Sequence, residues 1–340
     1  MDGSIPKPAG QSARQFQEII EPLKPAFVGL EEFLAGQITE FEPVVQPLAR
    51  YCFGHSGKKL RPILVFSMAL SGKEGFSEPV IKAAAIVELV HLATLVHDDI
   101  LDEADMRHRT ETVVAKYGSH VAVLLGDALF AHSLHLASQY PDVEVCRMVS
   151  KATRQVCSGE IAQTFARGGE VPTTAAYFRM IDLKTAELFS VSAYLGGYLS
   201  GFSPDQLKAA SAFARHLGIA YQIYDDAADI FGKEANAGKT LGTDLATGKF
   251  TLPILIWLEG LSPSERDLAL VKLRDPKTDP IECQKELTNL GILELVKIEF
   301  FKQIDLARDA LRVIPDEQRQ RQLGKLADFV QSAWNKFSIR

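Results

Sequence analysis

The chain has 340 residues, 46% of them hydrophobic, enough for a large core and long for one domain without excluding one. Its formal charge of −6 argues against nucleic acid as the main partner. Cys52, Cys146, Cys157 and Cys283 lack the spacing of a zinc site, and the polar start has no apolar leader. The chain therefore reads as a soluble, cytoplasmic protein with reduced, buried cysteines.

Residues 1–13 read as a disordered N-terminus and 14–340 as one helical domain. Helical patterns begin at Arg14 and are interrupted by Pro22, Pro25, Pro43 and Pro47. Next comes Gly54-His55-Ser56-Gly57-Lys58-Lys59-Leu60-Arg61-Pro62, a basic turn whose Pro62 suits the first position of a helix. Lys58, Lys59 and Arg61 beside a helix start fit a diphosphate clamp, and they equally fit an ordinary basic surface loop. The apolar run Ile81 to Val96 follows; it carries Lys82, Glu88 and His91 and is too short to span a bilayer. It ends in Asp98-Asp99-Ile100-Leu101-Asp102. Residues three, four and seven apart share a helix face, so His91, Thr94, Asp98 and Asp102 form one polar stripe.

Arg107-His108-Arg109 comes next, then helical segments to Tyr140, to about Arg167, and from Pro172 to about Leu199. The last carries Lys184-Thr185 on an apolar helix, where a lysine needs a partner, and Gly196-Gly197, which suits close helix packing. Ser203-Pro204-Asp205-Gln206 is a strong helix start, with Ser as cap and Gln three residues on. That helix ends in Asp225-Asp226-Ala227-Ala228-Asp229, and Gln222, Asp225, Asp226 and Asp229 share its face. The Gly- and Lys-rich loop from Gly232 to Lys249 invites a nucleotide-binding reading. The phosphate loop of NTPases, however, has four residues between its glycines and follows a strand; here five residues separate Gly232 from Gly238, after a helix. The loop still presents Lys239 and Lys249 to an anion held by the second cluster. Leu252 to Arg340 is helical, with another start at Ser262-Pro263-Ser264-Glu265. Neither an alternating strand pattern nor a solenoid period is present.

A single acidic run at a helix end is ordinarily a solvated surface. Two with the same spacing, each on an apolar helix, are costly, because the carboxylates repel and oppose the helix macrodipole. Cations remove that cost. Mg²⁺ prefers oxygen ligands shared between carboxylates and substrate phosphates, and it neutralises a leaving diphosphate. Flanking Lys and Arg add stabilisation where leaving-group charge develops. The apolar wall between the clusters suits a hydrocarbon chain and shields a carbocation from water.

From about Gly57 to Pro253 the chain resembles the trans-isoprenyl diphosphate synthases, also called polyprenyl synthetases. The resemblance rests on GKKLRP, ELVHLATLVHDDILDEADMR, GDALF, the Lys184-Thr185 pair, YQIYDDAAD and GKTLGTD. It implies an all-α, single-domain fold of antiparallel helices around a deep cavity, usually a homodimer. It also implies head-to-tail condensation of isopentenyl diphosphate with an allylic diphosphate, with Mg²⁺ (three ions per site, Mn²⁺ as a substitute). Asp98, Asp102 and Asp225 match the family's metal ligands, with Asp99, Asp226 and Asp229 in support. Lys58, Arg61 and His91 match its isopentenyl diphosphate site. Arg107, Lys184, Thr185, Gln222, Lys239 and Lys249 match its allylic diphosphate contacts. Catalysis would rest on Asp98, Asp102, Asp225, Lys184 and Lys239. The resemblance brings no transmembrane segment, and the product would be released by transient membrane contact.

One departure stands out. The family usually has Arg-Arg-Gly after the first cluster, with a Pro two residues on, whereas this chain has Arg107-His108-Arg109 and Glu111. Either Arg109 or protonated His108 would then meet the isopentenyl diphosphate, or its affinity would be lower. Family members that make short products carry an aromatic at the position of Ala93. Here Ala93 and Thr94 are small, so the floor is expected deeper, at Val90, Ile86, Phe130 or Leu134, with products of about C30 or longer. A geranylgeranyl or farnesyl diphosphate synthase is the alternative within the family. A non-catalytic subunit of a heteromeric synthase and a class I terpene cyclase are the alternatives outside it. The first generally lacks one acidic cluster, and the second needs no isopentenyl diphosphate site.

Overall fold

The computed structural model describes residues 11–54, 57–70, 75–107, 110–167, 169–232, 242, 244, 247–275 and 279–337. The described helices are α1 (Gln11–Ile20), α2 (Lys24–Ile38), α3 (Gln46–Phe53), α4 (Leu60–Ala69), α5 (Glu78–Leu101), α6 (Val113–Tyr117), α7 (Ser119–Ser138) and α8 (Glu144–Ala166). They continue with α9 (Thr174–Ile181), α10 (Glu187–Tyr198), α11 (Pro204–Phe231), α12 (Leu252–Glu259), α13 (Pro263–Arg274), α14 (Pro280–Asn289), α15 (Ile292–Leu311) and α16 (Glu317–Ser332). The all-α expectation holds. One two-residue ladder departs from it, β1 (Met106–Arg107) antiparallel to β2 (Thr110–Glu111); it is too short to leave a period-two signal.

The core is built on α5, α10 and α11. α5 is apolar on nearly all sides and packs against α2, α4 and α7, while α11 lies between α10 and α15. By length and hydropathy α5 and α7 are each long enough to cross a membrane, because α5 extends beyond both ends of the 81–96 run. In α5 that apolar surface is 67% buried inside the protein. Glycine sets two of the close crossings. A Cβ on Gly196 would come within 2.3 Å of the Val65 carbonyl, as Gly196-Gly197 suggested, and one on Gly126 within 2.1 Å of His97 Nε2. Gly126, the glycine of GDALF, therefore makes room for the residue beside Asp98.

Several boundaries refine the sequence reading. α1 begins at Gln11, and Ala13 is already buried. α4 begins at Leu60, so Pro62 is its third residue, still among the first-turn amides that need no intrahelical partner. Lys59 precedes α4 with φ 51°, a left-handed conformation for a non-glycine residue. The Ser203 start forms as expected: Ser203 N donates to Gln206 Oε1 at 2.8 Å and Gln206 N to Ser203 Oγ at 3.4 Å. The helix expected over 172–199 is not continuous, because Asp182–Ala186 is a π-helical turn between α9 and α10. All four cysteines are free, but the expectation that all are buried is corrected: Cys157 is exposed and Cys146 half-buried.

Candidate active site

α5 ends at Leu101, so Asp98 and Asp99 lie in its last turn and Asp102 caps it. The three acids part company. Asp99 is buried, and its Oδ1 accepts from Arg107 Nε at 2.8 Å and Nη2 at 2.7 Å. Asp98 and Asp102 turn to the other side. Asp98 Oδ2 stands 3.7 Å from Lys184 Nζ. Asp102 Oδ1 accepts from Arg167 Nη2 at 2.6 Å and from Lys249 Nζ at 2.9 Å.

The second cluster lies near the end of α11. Asp226 and Asp229 are buried and Asp225 half-buried. Asp226 accepts from Tyr177 Oη at 2.5 Å and from Gln222 Nε2 at 2.7 Å, and Gln222 Oε1 accepts in turn from Thr185 Oγ1 at 2.8 Å. Asp229 Oδ2 accepts from the Asp244 amide at 3.0 Å. Lys249 joins the two clusters, since besides Asp102 its Nζ lies 3.7 Å from Asp244 Oδ1. Contacts thus run unbroken from the end of α5 to the end of α11.

The π turn supplies Lys184 and Thr185 between them. Lys184 has the partner its apolar setting demanded: it pairs with Glu160 and Asp98 and donates to Gln163 Oε1 at 2.8 Å. Glu160, Gln163 and Arg167 went unnoticed in the sequence, although their three-and-seven spacing on α8 is the same face rule that marked the other stripes. Tyr177, the donor to Asp226, was missed as well. His108, Arg109 and Lys239 lie outside the described residues.

The remaining anion-binding candidates sit on α4 and α5. The Arg61 guanidinium lies 5.0 Å from the centre of the Phe189 ring. Burial brings it down to about 10, against the opposing pull of Glu88, itself buried and raised by burial. Arg61 Nε and Glu88 Oε2 are both buried without a hydrogen bond. The exposed Lys58 places Nζ 5.4 Å over the Phe329 ring. His91 is half-buried on the same α5 face as Thr94, Leu95 and Asp98. Of the residues expected to set chain length, Ile86, Val90 and Ala93 are wholly buried, while Thr94, Phe130 and Leu134 are half-buried. The Thr94 hydroxyl donates to the His91 carbonyl at 2.7 Å, and Phe130 packs 5.7 Å from His97.

Electrostatics show a surplus of negative charge. Burial, aided by Glu160 and Asp102 against the pull of Lys184, pushes Asp98 up to about 6. Burial and Asp244 push Asp226 up to about 8, despite its bonds from Tyr177 and Gln222. Asp102 goes the other way, because Lys249 and Arg167 outweigh its burial. Among the described residues no three His, Cys, Asp or Glu side chains converge on one point, and protein cations hold all three acids of the first cluster. The donor set still fits a hard divalent cation: it is all oxygen, two acids are raised, and Glu160 Oε1, the oxygen Lys184 does not take, is buried without a hydrogen bond.

A pH dependence follows. Raised carboxyls bind more protons in the folded than in the unfolded chain, so their contribution to stability falls as pH rises from about 4 towards about 8. We expect the metal-free wild type to lose melting temperature from about pH 5 to about pH 8 relative to Asp226→Asn. Parallel melting profiles of the two proteins would contradict the raised Asp226.

An all-α fold that brings two acidic helix ends together through Lys249, with Lys184 and Arg167 beside them, fits the isoprenoid synthase class. Residues 42–290 match the polyprenyl synthetase family, and the chain belongs to that family. It is 31% identical over 291 residues to the octaprenyl diphosphate synthase of Escherichia coli (strain K12), covering 85% of this chain and 90% of that protein. It is also 31% identical over 305 residues to the geranylgeranyl diphosphate synthase of Methanosarcina mazei, covering 86% and 92%. The crystal structure of a decaprenyl diphosphate synthase from Rhodobacter capsulatus superposes with a TM-score of 0.85 at 30% identity, over 93% of this chain and 98% of that one. A polyprenyl synthase from Caulobacter crescentus CB15, solved with calcium and isoprenyl diphosphate, gives 0.84 at 27% identity, over 96% and 99%.

Proposed function

We propose that this prenyltransferase condenses isopentenyl diphosphate head-to-tail with an allylic diphosphate to make a medium- or long-chain polyprenyl diphosphate. The observation that carries the reading is the bridge from Asp102 through Lys249 and Asp244 to Asp229, which sets two acidic clusters against one space. Asp98, Asp102 and Asp225 would hold Mg²⁺, with Asp99, Asp226 and Asp229 behind them. Bound there, the metal neutralises the diphosphate as it leaves.

The chain's own residues do the rest. Lys184 and Lys249, now on carboxylates, are placed to meet the phosphate oxygens of the allylic substrate, and Lys239 is assigned beside them from the resemblance. As the C–O bond breaks, the electron pair leaves with the diphosphate, and these cations take up its growing charge. Lys58, Arg61 and His91 bind the second diphosphate and hold its double bond towards the allylic carbon. The apolar faces of α5 and α11 exclude water from the cation. The released diphosphate is the base that takes the proton.

Small Ala93 and Thr94 below the acids, and the octaprenyl and decaprenyl synthases among its relatives, favour a product of about C30 or longer over geranylgeranyl diphosphate. Both clusters are intact, which disfavours a non-catalytic subunit. A homodimer is part of the proposal, because α7 exposes Val123 and Leu124 and is only 39% buried along its apolar stretch. A cytoplasmic location also belongs to the proposal. Incubating the purified chain with labelled isopentenyl diphosphate and farnesyl diphosphate tests the reaction. A ladder of products to about C30 or beyond is expected; a cyclic hydrocarbon or no product contradicts it.

A further inference from the structure

We infer that Arg215 is a positioning residue that holds the π turn, and with it Lys184 and Thr185, in the geometry the reaction uses; the inference rests on the function proposed above. The turn is closed by the backbone bond from the Glu187 amide to the Asp182 carbonyl, an i→i+5 bond. Arg215, from α11, bonds the side chains of those same two residues. Its Nη1 donates to Asp182 Oδ1 and its Nη2 to Glu187 Oε2 at 2.5 Å. In an α-helix residues five apart point about 140° away from each other, at about 100° per residue. One planar guanidinium spans both carboxylates only when the extra residue of the π turn brings them to one side.

The surroundings reinforce the clamp. Glu187 is buried, and the Gln155 side-chain amide, its nitrogen facing Glu187, donates to Oε1 at 2.5 Å. Arg179 Nη1 reaches Asp182 Oδ2 at 3.3 Å. One turn along α11 from Arg215, a Cβ on Gly218 would stand 2.9 Å from Ala186 Cα, so the helix lies directly on the turn. Away from Arg215, Lys184 faces Asp98 and Glu160, while Thr185 bonds Gln222, seven residues along the same face of α11. Relaxation to a regular helix would swing Lys184 by about 100°, one residue's rotation, away from those partners. None of the stretches resembling the family includes Arg215.

The clamp is testable because a cavity of about 450 Å³, lined in part by Arg179, Asp182, Arg215 and His216, opens onto it and has room for a small cation. In Arg215→Ala we expect kcat to fall by about a hundredfold, the scale of an ångström misplacement. The KM for isopentenyl diphosphate should stay unchanged, and added guanidinium ion should restore part of kcat. Asp182→Asn keeps the Arg215–Glu187 pair, so it guards against simple unfolding, and it should lose on the order of tenfold. In both variants the Glu187 amide should exchange with solvent faster than in the wild type, a readout that needs no turnover. Unchanged Glu187 exchange, or full kcat in folded Asp182→Asn and Arg215→Ala, overturns the inference. Faster exchange in the variants of an enzyme whose wild type makes no product supports the clamp and contradicts the proposed reaction instead.

Discussion

Asp98→Ala abolishes turnover, by on the order of a thousandfold or more, and leaves the fold intact. Asp98 sits in the last turn of α5, 3.7 Å from Lys184, with its carboxyl raised to about 6. It is one of two first-cluster acids turned away from Arg107, so its loss removes oxygen from the site where, on the proposed function, metal and diphosphate would meet. Lys184 keeps Glu160 and Gln163 and is not stranded. Because Asp98 is held in the apo protein against burial and two like charges, its removal is expected to raise or preserve the melting temperature without metal. Thermal melts in EDTA beside a turnover assay check both halves. Retained activity in the variant, or wild-type activity that survives chelation of divalent cations, would show that the cluster does not work through a metal.

Ala93→Tyr shortens the product. On the proposed function the growing tail leaves the acids along α5, and Ala93 lies five residues, about 7.5 Å along the axis, from Asp98. Its face, shared with His97, turns towards α7, where Phe130 packs against His97. The side chain is wholly buried, so a tyrosine there fills whatever space the tail opens, and it overpacks the core at a cost of about 1–3 kcal/mol. The expected result is a less stable enzyme with ionisation chemistry intact and products shifted to about C15 to C20. Half-buried Thr94 and Leu95 give the control, since they line the open side of the helix. Chromatography of dephosphorylated products decides it. An unchanged distribution from folded, active Ala93→Tyr means the tail does not pass between α5 and α7.

The acidic clusters were legible because helical spacing is a local property. Asp98 and Asp102, at i and i+4, face one way in the structure as they do on a helical wheel. What spacing did not reveal was that Asp99 turns inward onto Arg107, because the hairpin that delivers Arg107 is only two residues long on each side. Glu160, Gln163 and Arg167 obey the same spacing, but α8 also carries many solvent-facing polar residues, and nothing local separates its buried stripe from its wet one. The π turn had no signal of its own. Lys184 on an apolar helix showed that a partner was needed, but only the fold shows that Glu160 and Asp98 are that partner. The pairing of the clusters through Lys249 joins residues 147 positions apart, a distance at which no periodicity operates; the repeated acidic spacing and its need for cations linked the two clusters, and the family resemblance supported that link, but neither pointed to the bridge itself.

The central claim is that both clusters grip one diphosphate. It is tested most directly by the affinity for a non-ionisable allylic analogue, farnesyl thiodiphosphate, with Mg²⁺ present. The measurement is made on the wild type, Asp98→Asn, Asp225→Asn and the double variant. Each single change is expected to weaken binding by at least about tenfold, and the double by little more than the worse single, because the two clusters act through a shared ligand. Losses that simply multiply, or a cluster whose change leaves affinity untouched, would contradict the account.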